Sequence, residues 1–202
     1  MPAGDARTPL PFAPPPPTAA WRHHEVRAGF EVTWFHRVDD GYRIEGCTTA
    51  IEDGHAWAVD YTIVVDPTWT TRHARISGRS DAGARSTTVE ADGAGRWWVD
   101  GAVAPHLDGC LDVDLESSAM TNALPVHRMG LAVGGRASAP AAYVRTLDLA
   151  VERLEQHYVR LADEASHRRF DYDAPAFDFA CRLVYDHSGL VVDYPGIAVR
   201  TG

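Results

Sequence analysis

Apolar residues recur at every second position over much of this chain, which is the period of a β-strand with one buried face. The clearest example is the segment 57–65, whose alternating apolar residues are Trp57, Val59, Tyr61, Ile63 and Val65. Asp66-Pro67 follows at once, and proline ends a strand because it has no amide hydrogen to donate. The pattern therefore predicts a strand from residue 57 to residue 65.

Shorter segments with the same period lie on both sides of this strand. Phe30, Val32 and Trp34 share one face of a predicted strand, and residues 39–41 predict the turn after it. Further strands bounded by turn residues are predicted at 70–79, 86–91, 96–99, 177–185 and 190–199. At least seven short strands with little helix favour an all-β fold. We expect a single curved or rolled antiparallel sheet, similar to half of a barrel.

One segment fits two periods. Leu147, Val151, Leu154, Tyr158 and Leu161 form the apolar stripe of a helix, whereas Leu147, Leu149 and Val151 also alternate as in a strand. Periodicity alone favours the helix for residues 147–161.

The composition restricts the classes of function. The chain has 202 residues and a formal net charge of -9, which argues against a nucleic-acid partner and an anionic membrane surface. All 19 basic residues are arginine, so mechanisms that need a lysine amine are excluded. No segment is apolar over the roughly 20 residues that a membrane span requires, and no export signal is recognisable. We expect a cytoplasmic protein with a flexible Pro/Ala-rich tail at 1–20 and one domain at 21–202.

The sequence contains no signature of a metal or cofactor site. Cys47, Cys110 and Cys181 are far apart and form no CxxC pair, so three buried thiols in a reducing compartment are expected. The ten histidines form no HExxH or HxH motif, and no GxSxG motif occurs. We therefore expect no metal, no cofactor and no assigned catalytic residue.

Candidate binding chemistry is concentrated between Arg96 and Met129. Trp97 and Trp98 are adjacent, so one faces inward if they lie in a strand, and a tryptophan in a cavity stacks on a sugar or an acyl chain. Asn122 and Arg128 supply an amide and a guanidinium near Leu124-Pro125, which we interpret as a turn. A guanidinium can bind an anionic headgroup through two hydrogen bonds.

Three carboxylates of this segment, Asp112, Asp114 and Glu116, would share one face of a strand. They could hydrogen-bond sugar hydroxyls or hold a hard cation such as Mg²⁺. They could equally pair with Arg128 or Arg136 and serve the fold alone, which the absence of any known metal spacing favours over a cation site.

Two motifs of the chain resemble those of bacterial proteins known as putative glycolipid-binding proteins. The central motif runs from Cys110 to Leu115 and continues through Thr121-Asn122 and Leu124-Pro125, and the closing hairpin is residues 183–195. Between them, Gln156 and Tyr158 stand where that family carries a Gln-x-Tyr pair. The resemblance covers roughly residues 21–200.

This resemblance implies a single-domain, mostly antiparallel half-barrel similar to lipoprotein carriers, and it implies strand for residues 147–160, which we adopt over the helix. It carries no established catalytic residue. The function implied is non-catalytic binding of a lipid-like or glycolipid-like molecule in a cavity of the sheet. The predicted ligand contacts are Trp97, Trp98, Asp112, Asp114, Asn122, Arg128, Tyr158 and Tyr194.

Two other functions stay open at this point. One is a small-molecule hydrolase or isomerase with Asp112 or Asp114 as general base and His127 as its partner. The other is an interaction scaffold that has a filled core and no ligand. An open sheet would also allow a homodimer to form through an edge strand.

Overall fold

The computed structural model describes residues 11–201, so the first half of the predicted tail lies outside the described residues. Over this range the chain is almost entirely β-structure. The first strands are β1 (Thr18–His23), β2 (Ala28–Val38), β3 (Gly41–Glu52), β4 (His55–Val65), β5 (Thr71–Ser80), β6 (Gly83–Ala91), β7 (Trp97–Val99), β8 (Ala102–Val103) and β9 (Asp112–Leu115). The remaining strands are β10 (Arg136–Ser138), β11 (Ala141–Val144), β12 (Val151–Leu154), β13 (His157–Arg160), β14 (Arg168–Ala174), β15 (Phe179–Tyr185), β16 (Val191–Tyr194) and β17 (Ala198–Arg200).

Helical structure is confined to short pieces. The single α-helix of the described range is α1 (Ala123–Met129), and 3-10 helices occur at Pro105–Leu107, Met120–Asn122 and Pro175–Phe177. None of these helices within residues 11–201 has the length and apolar character needed to span a membrane.

Fourteen strands form one large antiparallel sheet in the order β10-β13-β14-β15-β16-β17-β1-β2-β3-β4-β5-β6-β7-β8. Its two ends, β10 and β8, do not pair with each other, so the sheet stays open. The first part is a meander of hairpins, as the alternating pattern predicts. The predicted all-β, half-barrel-like fold with little helix is therefore confirmed.

A second, smaller sheet covers part of one face of the large sheet. Its order is β12-β11-β9, with β11 antiparallel to β12 and parallel to β9. All four residues of β9 are buried, and Thr71 of the large sheet joins the two layers. The Thr71 amide donates to Leu111 O over 3.0 Å, and its hydroxyl accepts from the Val113 amide over 3.0 Å. We call the covered side of the large sheet its inner face.

The inner face of β2 carries two polar residues, Glu31 and Thr33, beside the buried Phe35, and two large apolar residues of the strand lie outside. Phe30 and Trp34 are 57% and 44% exposed, whereas Glu31 and Thr33 are fully buried. Phe30, Val32 and Trp34 do share one face, but apolarity does not mark the inner side of this strand. Glu31 can be buried because the segment around residue 118 supplies its hydrogen-bond donors.

The ambiguous segment contains two strands, as the family resemblance implied and the helical period did not. β12 pairs with β11, and β13 pairs with β10 and β14. Leu149 has a φ of 57°, a left-handed conformation that a helix does not accommodate. The period misled because the buried residues Leu154 and Tyr158 belong to different sheets.

Three smaller expectations also change. Leu124-Pro125 lies in the first turn of α1, not in a turn between strands, because proline is tolerated where the helix needs no amide donor. The return segment 190–199 is broken into β16 and β17 at Gly196, whose φ is 76°. The large sheet begins at Thr18, before the domain boundary expected at residue 21.

Phe12 and Ala13, which precede β1, lie against the rest of the domain. The Ala13 amide donates to His187 O over 2.9 Å. The ring of Phe12 lies 4.6 Å from that of His127, and the Arg168 guanidinium lies 4.0 Å from the centre of the Phe12 ring.

Candidate functional site

A cavity of about 220 Å³ lies between the inner face of the large sheet and the small sheet. Its polar end is formed by β9 and the residues after it, and its walls are mostly aromatic. The lining residues are Arg27, Asp114, Leu115, Glu116, Ser118, Asn122, Tyr143, Leu154, Tyr172, Ala174, Phe177, Phe179, Tyr194 and Ile197. We call this space the inner cavity.

Asp114 lies at the polar end of the inner cavity and has no cationic partner among residues 11–201. Its Oδ1 accepts from the Thr121 hydroxyl over 2.7 Å, and its Oδ2 accepts from Gln156 Nε2 over 2.6 Å. Burial raises the pKa of Asp114, the two hydrogen bonds oppose this effect, and the nearby carboxylates Asp112 and Glu116 add to it. The Asp114 carboxyl group is thus bonded by uncharged donors, and its surroundings increase its affinity for a proton.

Asn122 presents an amide beside this carboxyl group. Its Oδ1 accepts from the Tyr158 hydroxyl over 3.3 Å, and its backbone carbonyl accepts from the Tyr185 hydroxyl over 3.2 Å. These contacts fix the side chain, which is 4% exposed. The Nδ2 group makes no hydrogen bond to any residue between 11 and 201, so it is available as a donor in the cavity lining.

The aromatic walls come from both sheets. On the large sheet, the ring of Tyr194 lies 6.2 Å from that of Tyr172 and 6.1 Å from that of Phe179, both in edge-to-face geometry. On the opposite side, Tyr143 of β11 lies 5.5 Å from Phe177. Phe177 is 47% exposed and marks the mouth of the cavity. Such packing keeps the rings rigid and gives the cavity aromatic walls.

A buried glutamate holds the wall that carries Asn122. Glu31 is fully buried, and its Oε2 accepts from the amides of Ala119 and Met120 over 2.7 and 3.4 Å. Its Oε1 accepts from the Ser118 hydroxyl and, over 2.7 Å, from the Tyr61 hydroxyl. Burial raises the pKa of Glu31, and the four donors partly offset this effect. Glu31 therefore ties the start of the 3-10 helix Met120–Asn122 to the inner face of β2.

Arg27 and Glu116 form one rim of the inner cavity. Arg27 Nη1 donates to the Glu116 carbonyl oxygen over 3.1 Å, and its guanidinium lies 5.4 Å from the ring centre of Trp57. The Glu116 carboxylate accepts from the Thr146 amide over 2.7 Å and lies 3.6 Å from Arg145 Nε. Both side chains are therefore already oriented by protein groups.

The structure brings part of the predicted ligand set together. Asp114, Asn122 and Tyr194 line the inner cavity, and Tyr158 lies behind it as the support of Asn122. Gln156 and Tyr158, the pair named from the family resemblance, thus support the two polar groups of the site.

Asp112 and Arg128 lie outside the cavity lining. Arg128 Nε donates to Asp112 Oδ1 over 3.0 Å and its Nη2 donates to Oδ2, which is a bidentate ion pair with Asp112 only 1% exposed. The guanidinium is therefore bonded to a carboxylate of its own chain and does not face the cavity as a headgroup ligand. The three alternating carboxylates have separate partners, and the pairing of Asp112 with Arg128 was one of the predicted alternatives.

Trp97, Trp98 and His127 also lie away from the cavity lining. Trp97 is fully buried in β7 and donates from Nε1 to Cys110 O over 2.8 Å, whereas Trp98 is half-buried on the other face of that strand. His127 donates to Ser188 O over 2.9 Å and stacks on Trp69 at 3.7 Å. Burial lowers the pKa of His127 to about 4. The predicted pairing of His127 with Asp112 or Asp114 does not occur.

Several residues of the site have no sequence signal that singles them out. Tyr143, Tyr172 and Phe179 look like ordinary strand residues, and Arg27 lies in the turn between β1 and β2. The alternation in β14 and β15 indicates that these rings share a buried face, but not that the face is incompletely filled. Glu31 is charged, so its hydropathy would place it on the solvent-exposed face of the sheet.

Within residues 11–201, no group of three or more His, Cys, Asp or Glu side chains could hold a metal ion. The three cysteines are free thiols. Cys110 is buried, as expected, but Cys47 and Cys181 are only half-buried. The site therefore offers hydrogen-bond donors, acceptors and aromatic faces as its means of recognition.

An open antiparallel sheet with a small aromatic cavity is an all-β architecture, and it agrees with the fold that the resemblance of the sequence motifs implied. The chain belongs to the family described as "Putative glycolipid-binding", whose sequence model matches residues 18–200. The resemblance noted in the central motif and the closing hairpin is thereby confirmed.

Two solved structures are similar to this chain. A DUF1089 family protein from Pseudomonas aeruginosa has a TM-score of 0.74 and 35% sequence identity, with 85% of this chain and 92% of that chain covered. A β-barrel-like protein of the domain of unknown function DUF1849 from Brucella abortus has a TM-score of 0.51 and 11% identity, with 95% of each chain covered. The second likeness concerns the fold alone. No curated protein matches the sequence.

Proposed function

We propose that the protein binds the sugar headgroup of a lipid-like molecule in the inner cavity, without catalysing a reaction on it. The observation that carries the proposal is the pairing of a fixed carboxyl group and a free amide, Asp114 and Asn122, with tyrosine rings in one small cavity. Sugar rings offer both hydroxyl groups and apolar faces. Carboxyl and amide groups bond the hydroxyls, and aromatic rings pack on the apolar faces.

The size of the cavity favours a headgroup over an acyl chain. Its volume of about 220 Å³ is below the roughly 300–1,000 Å³ of pockets that enclose drug-sized ligands. A whole lipid would not fit, whereas a single sugar unit with its chain outside would. The exposed ring of Phe177 at the mouth offers an apolar surface for the first part of that chain.

The charges favour an uncharged headgroup. Asp114 and Glu116 line the cavity, and the guanidinium of Arg27 is bonded to the Glu116 carbonyl oxygen. The predicted cation for an anionic group, Arg128, is paired with Asp112. An anionic group in the cavity would face two carboxyl groups and the one guanidinium of the lining, that of Arg27, which already lies 3.8 Å from Glu52, so a further negative charge is unfavourable in this buried site.

The proposal is tested with octyl β-glucoside, octyl β-galactoside and octyl β-mannoside, with monooctanoylglycerol as a probe of equal chain length without a sugar. Binding is measured by calorimetry below the concentrations at which the probes form micelles. At least one octyl glycoside should bind at least about tenfold more tightly than monooctanoylglycerol, which corresponds to about 1.4 kcal/mol. Equal affinity for all four probes would contradict a sugar site.

A matched pair of variants links this binding to the cavity. Tyr194→Phe removes one hydroxyl from the lining, and we expect affinity for the preferred octyl glycoside to fall roughly fivefold, the effect of one hydrogen bond. Tyr42→Phe removes the hydroxyl of a ring that packs on Trp69 and is not part of the cavity lining, so it should leave the affinity unchanged. Equal effects of the two substitutions would mean that the probe binds elsewhere.

A second candidate function is supported by the same carboxyl group. Burial raises the pKa of Asp114, and a carboxyl group that keeps its proton at higher pH suits general acid–base catalysis. A screen of esters, glycosides and lactones would detect such turnover, and Asp114→Asn should abolish it. Activity that survives in this variant, or no turnover in the screen, would remove Asp114 as a catalytic group. The third possibility, a scaffold with a filled core, is disfavoured by the cavity itself.

A further inference from the structure

A second cavity of about 330 Å³ lies next to the inner cavity. It is formed where the turn between β3 and β4 faces the connection between β11 and β12. Its lining is Glu52, Asp53, His55, Trp57, Glu116, Arg145, Thr146, Leu147 and Asp148. We call it the outer cavity.

The two cavities meet at Arg27 and Glu116. Glu116 lines both spaces, and Arg27 lines the inner cavity while its Nε lies 3.8 Å from Glu52 of the outer cavity. The Arg27 side chain is only 8% exposed and Nε has no hydrogen-bond partner within residues 11–201. The buried Arg27 side chain therefore stands between the two spaces, and a ligand that extends from one into the other would have to displace it.

One residue of the outer cavity lining carries a buried polar group that forms no hydrogen bond with residues 11–201. Thr146 is 5% exposed, and its hydroxyl has no hydrogen-bond partner among the described residues. Its amide is bonded to Glu116, so the side chain is held in place beside the cavity. An unpartnered buried hydroxyl costs free energy unless a ligand or water satisfies it.

The lining of the outer cavity selects against anionic groups. Four carboxylates line it, Glu52, Asp53, Glu116 and Asp148, against one arginine and one histidine. Arg145 lies beside Glu116 and His55 bonds Asp81, so neither side chain is free for an anion. Trp57 Nε1 donates to Glu52 over 3.3 Å, which places an aromatic ring beside these acceptors. Carboxylates, a hydroxyl and an indole together suit an uncharged group with several hydroxyls.

We infer that the outer cavity is a second sugar subsite, so that the preferred headgroup contains two uncharged sugar units. This inference rests on the proposed function of the inner cavity and specifies its ligand class. One unit would occupy the inner cavity beside Asp114 and Asn122. The other would pass Arg27 and bond Thr146 and Glu52 in the outer cavity.

The first test compares headgroups of one and two sugars on the same octyl chain. Octyl β-maltoside and octyl β-lactoside are compared with octyl β-glucoside and octyl β-galactoside by calorimetry. One of the disaccharide probes should bind at least about tenfold more tightly than the preferred monosaccharide probe. Equal or weaker binding of both disaccharide probes would overturn the second subsite.

A variant of Thr146 separates this subsite from the inner cavity. Thr146→Val keeps the shape of the side chain and removes an unpartnered hydroxyl, so the fold loses no hydrogen bond. We expect the disaccharide advantage to fall roughly fivefold while the affinity for the monosaccharide probe stays the same. Thr62→Val on the outer face of β4 is the matched control and should change neither affinity. An unchanged advantage in Thr146→Val would overturn the assignment of Thr146.

A local signal reports on the outer cavity directly. The Trp57 indole N–H is bonded to Glu52, and its resonance in a ¹⁵N-correlation spectrum can be identified by its loss in Trp57→Phe. Disaccharide probes should shift this resonance in the wild-type protein, and monosaccharide probes should not. A Trp57 resonance that no probe moves would overturn the subsite.

The outcomes distinguish the two proposals. Preferential binding of octyl glycosides that Tyr194→Phe weakens, with a silent Trp57 resonance, would keep the inner sugar site and remove the outer one. A shifted Trp57 resonance, together with a glycoside affinity that Tyr194→Phe leaves unchanged, would keep the outer sugar site and remove the inner one. A panel in which no glycoside binds better than monooctanoylglycerol and Trp57 stays unmoved would overturn both.

Discussion

Replacing Glu31 by leucine should strongly destabilise the protein, because this carboxylate is the acceptor for a whole loop. In Glu31→Leu, the amides of Ala119 and Met120 lose their acceptor inside the core. The Tyr61 hydroxyl can donate to Thr33 Oγ1, 2.7 Å away, but the Ser118 hydroxyl also loses its acceptor, because its contact with the Thr121 amide at 3.3 Å is with another donor. Three orphaned buried donors cost about 1–3 kcal/mol each, so we expect a loss of roughly 3–9 kcal/mol.

This loss would be a large part of the typical stability of about 5–15 kcal/mol for a domain. It is measured by urea unfolding followed by tryptophan fluorescence, with the slope of free energy against urea checked for two-state behaviour. Glu90→Leu, at an exposed glutamate of β6, is the matched control and should stay within about 0.5 kcal/mol of wild type. A Glu31→Leu variant as stable as Glu90→Leu would refute the reasoning.

Glu31→Gln tests the charge separately from the hydrogen bonds. The amide can direct its oxygen at the two backbone amides and its nitrogen at the hydroxyls, so the variant should fold. Burial raises the pKa of Glu31 above the ordinary value of 4.5, so the folded state binds the proton more tightly than the unfolded state. The favourable contribution is therefore present below pH 4.5 and is lost as the pH rises through the folded pKa.

The measurement is the difference in unfolding free energy between Glu31→Gln and wild type as a function of pH, in which shared titrations cancel. This difference should shift in favour of glutamine as the pH rises from 4.5. A difference that does not change with pH, or that shifts in favour of glutamate, would show that Glu31 is not destabilised by its charge in the folded protein.

Three further predictions concern the surroundings of the site. Arg128→Met should destabilise the protein by about 3–5 kcal/mol in urea unfolding because it leaves Asp112 buried and unpaired, and the double variant with Asp112→Leu should recover most of this loss. His127 has its pKa lowered from 6.5 to about 4, so wild type should lose up to about 3 kcal/mol as the pH falls through this window, and His127→Gln should lose correspondingly less. Gly46→Ala should cost about 1–3 kcal/mol, because its Cβ would lie 2.1 Å from Tyr61 Cζ and displace the ring that bonds Glu31. The arguments for Arg128 and Gly46 would be contradicted if the corresponding variant were as stable as wild type. The argument for His127 would be contradicted if the stability of His127→Gln and of wild type changed in parallel with pH.

The strands were predictable because their period is local. The longest strands of the meander, of which β4 is the clearest, alternate over their own length, and Gly, Asp and Pro residues end them, so no knowledge of the partner is needed. Which face of a strand turns inward was harder to predict from the sequence. In β2 the buried side carries Glu31, whose carboxylate oxygens accept hydrogen bonds from residues that lie 87 to 89 positions later in the chain. No local pattern contains that information.

The candidate site was predictable in its polar residues but not in its walls. Asp114 and Asn122 stand in a motif that differs from its surroundings, and Gln156 and Tyr158 were noted because of the family pair. Tyr172 and Phe179 become part of a site only because the small sheet does not fill the space above them. Arg128 was misread for the opposite reason: its partner Asp112, 16 positions earlier in the chain, removes it from the set of free cations.

The alternating carboxylates of β9 and its extension show how one motif can serve both the fold and a ligand. All three point toward buried or half-buried surroundings, yet each has partners of a different kind. Asp112 has a cation, Glu116 has a backbone amide and a nearby arginine, and Asp114 has only the neutral donors of Thr121 and Gln156. Neutral donors leave lone pairs of Asp114 unused at the end of the inner cavity, whereas the bidentate pair of Asp112 leaves little for a ligand. Because a carboxyl group without a cation is the costly member of such a set, its position beside a cavity is the strongest reason to assign Asp114, and not Asp112, to the binding of a sugar hydroxyl.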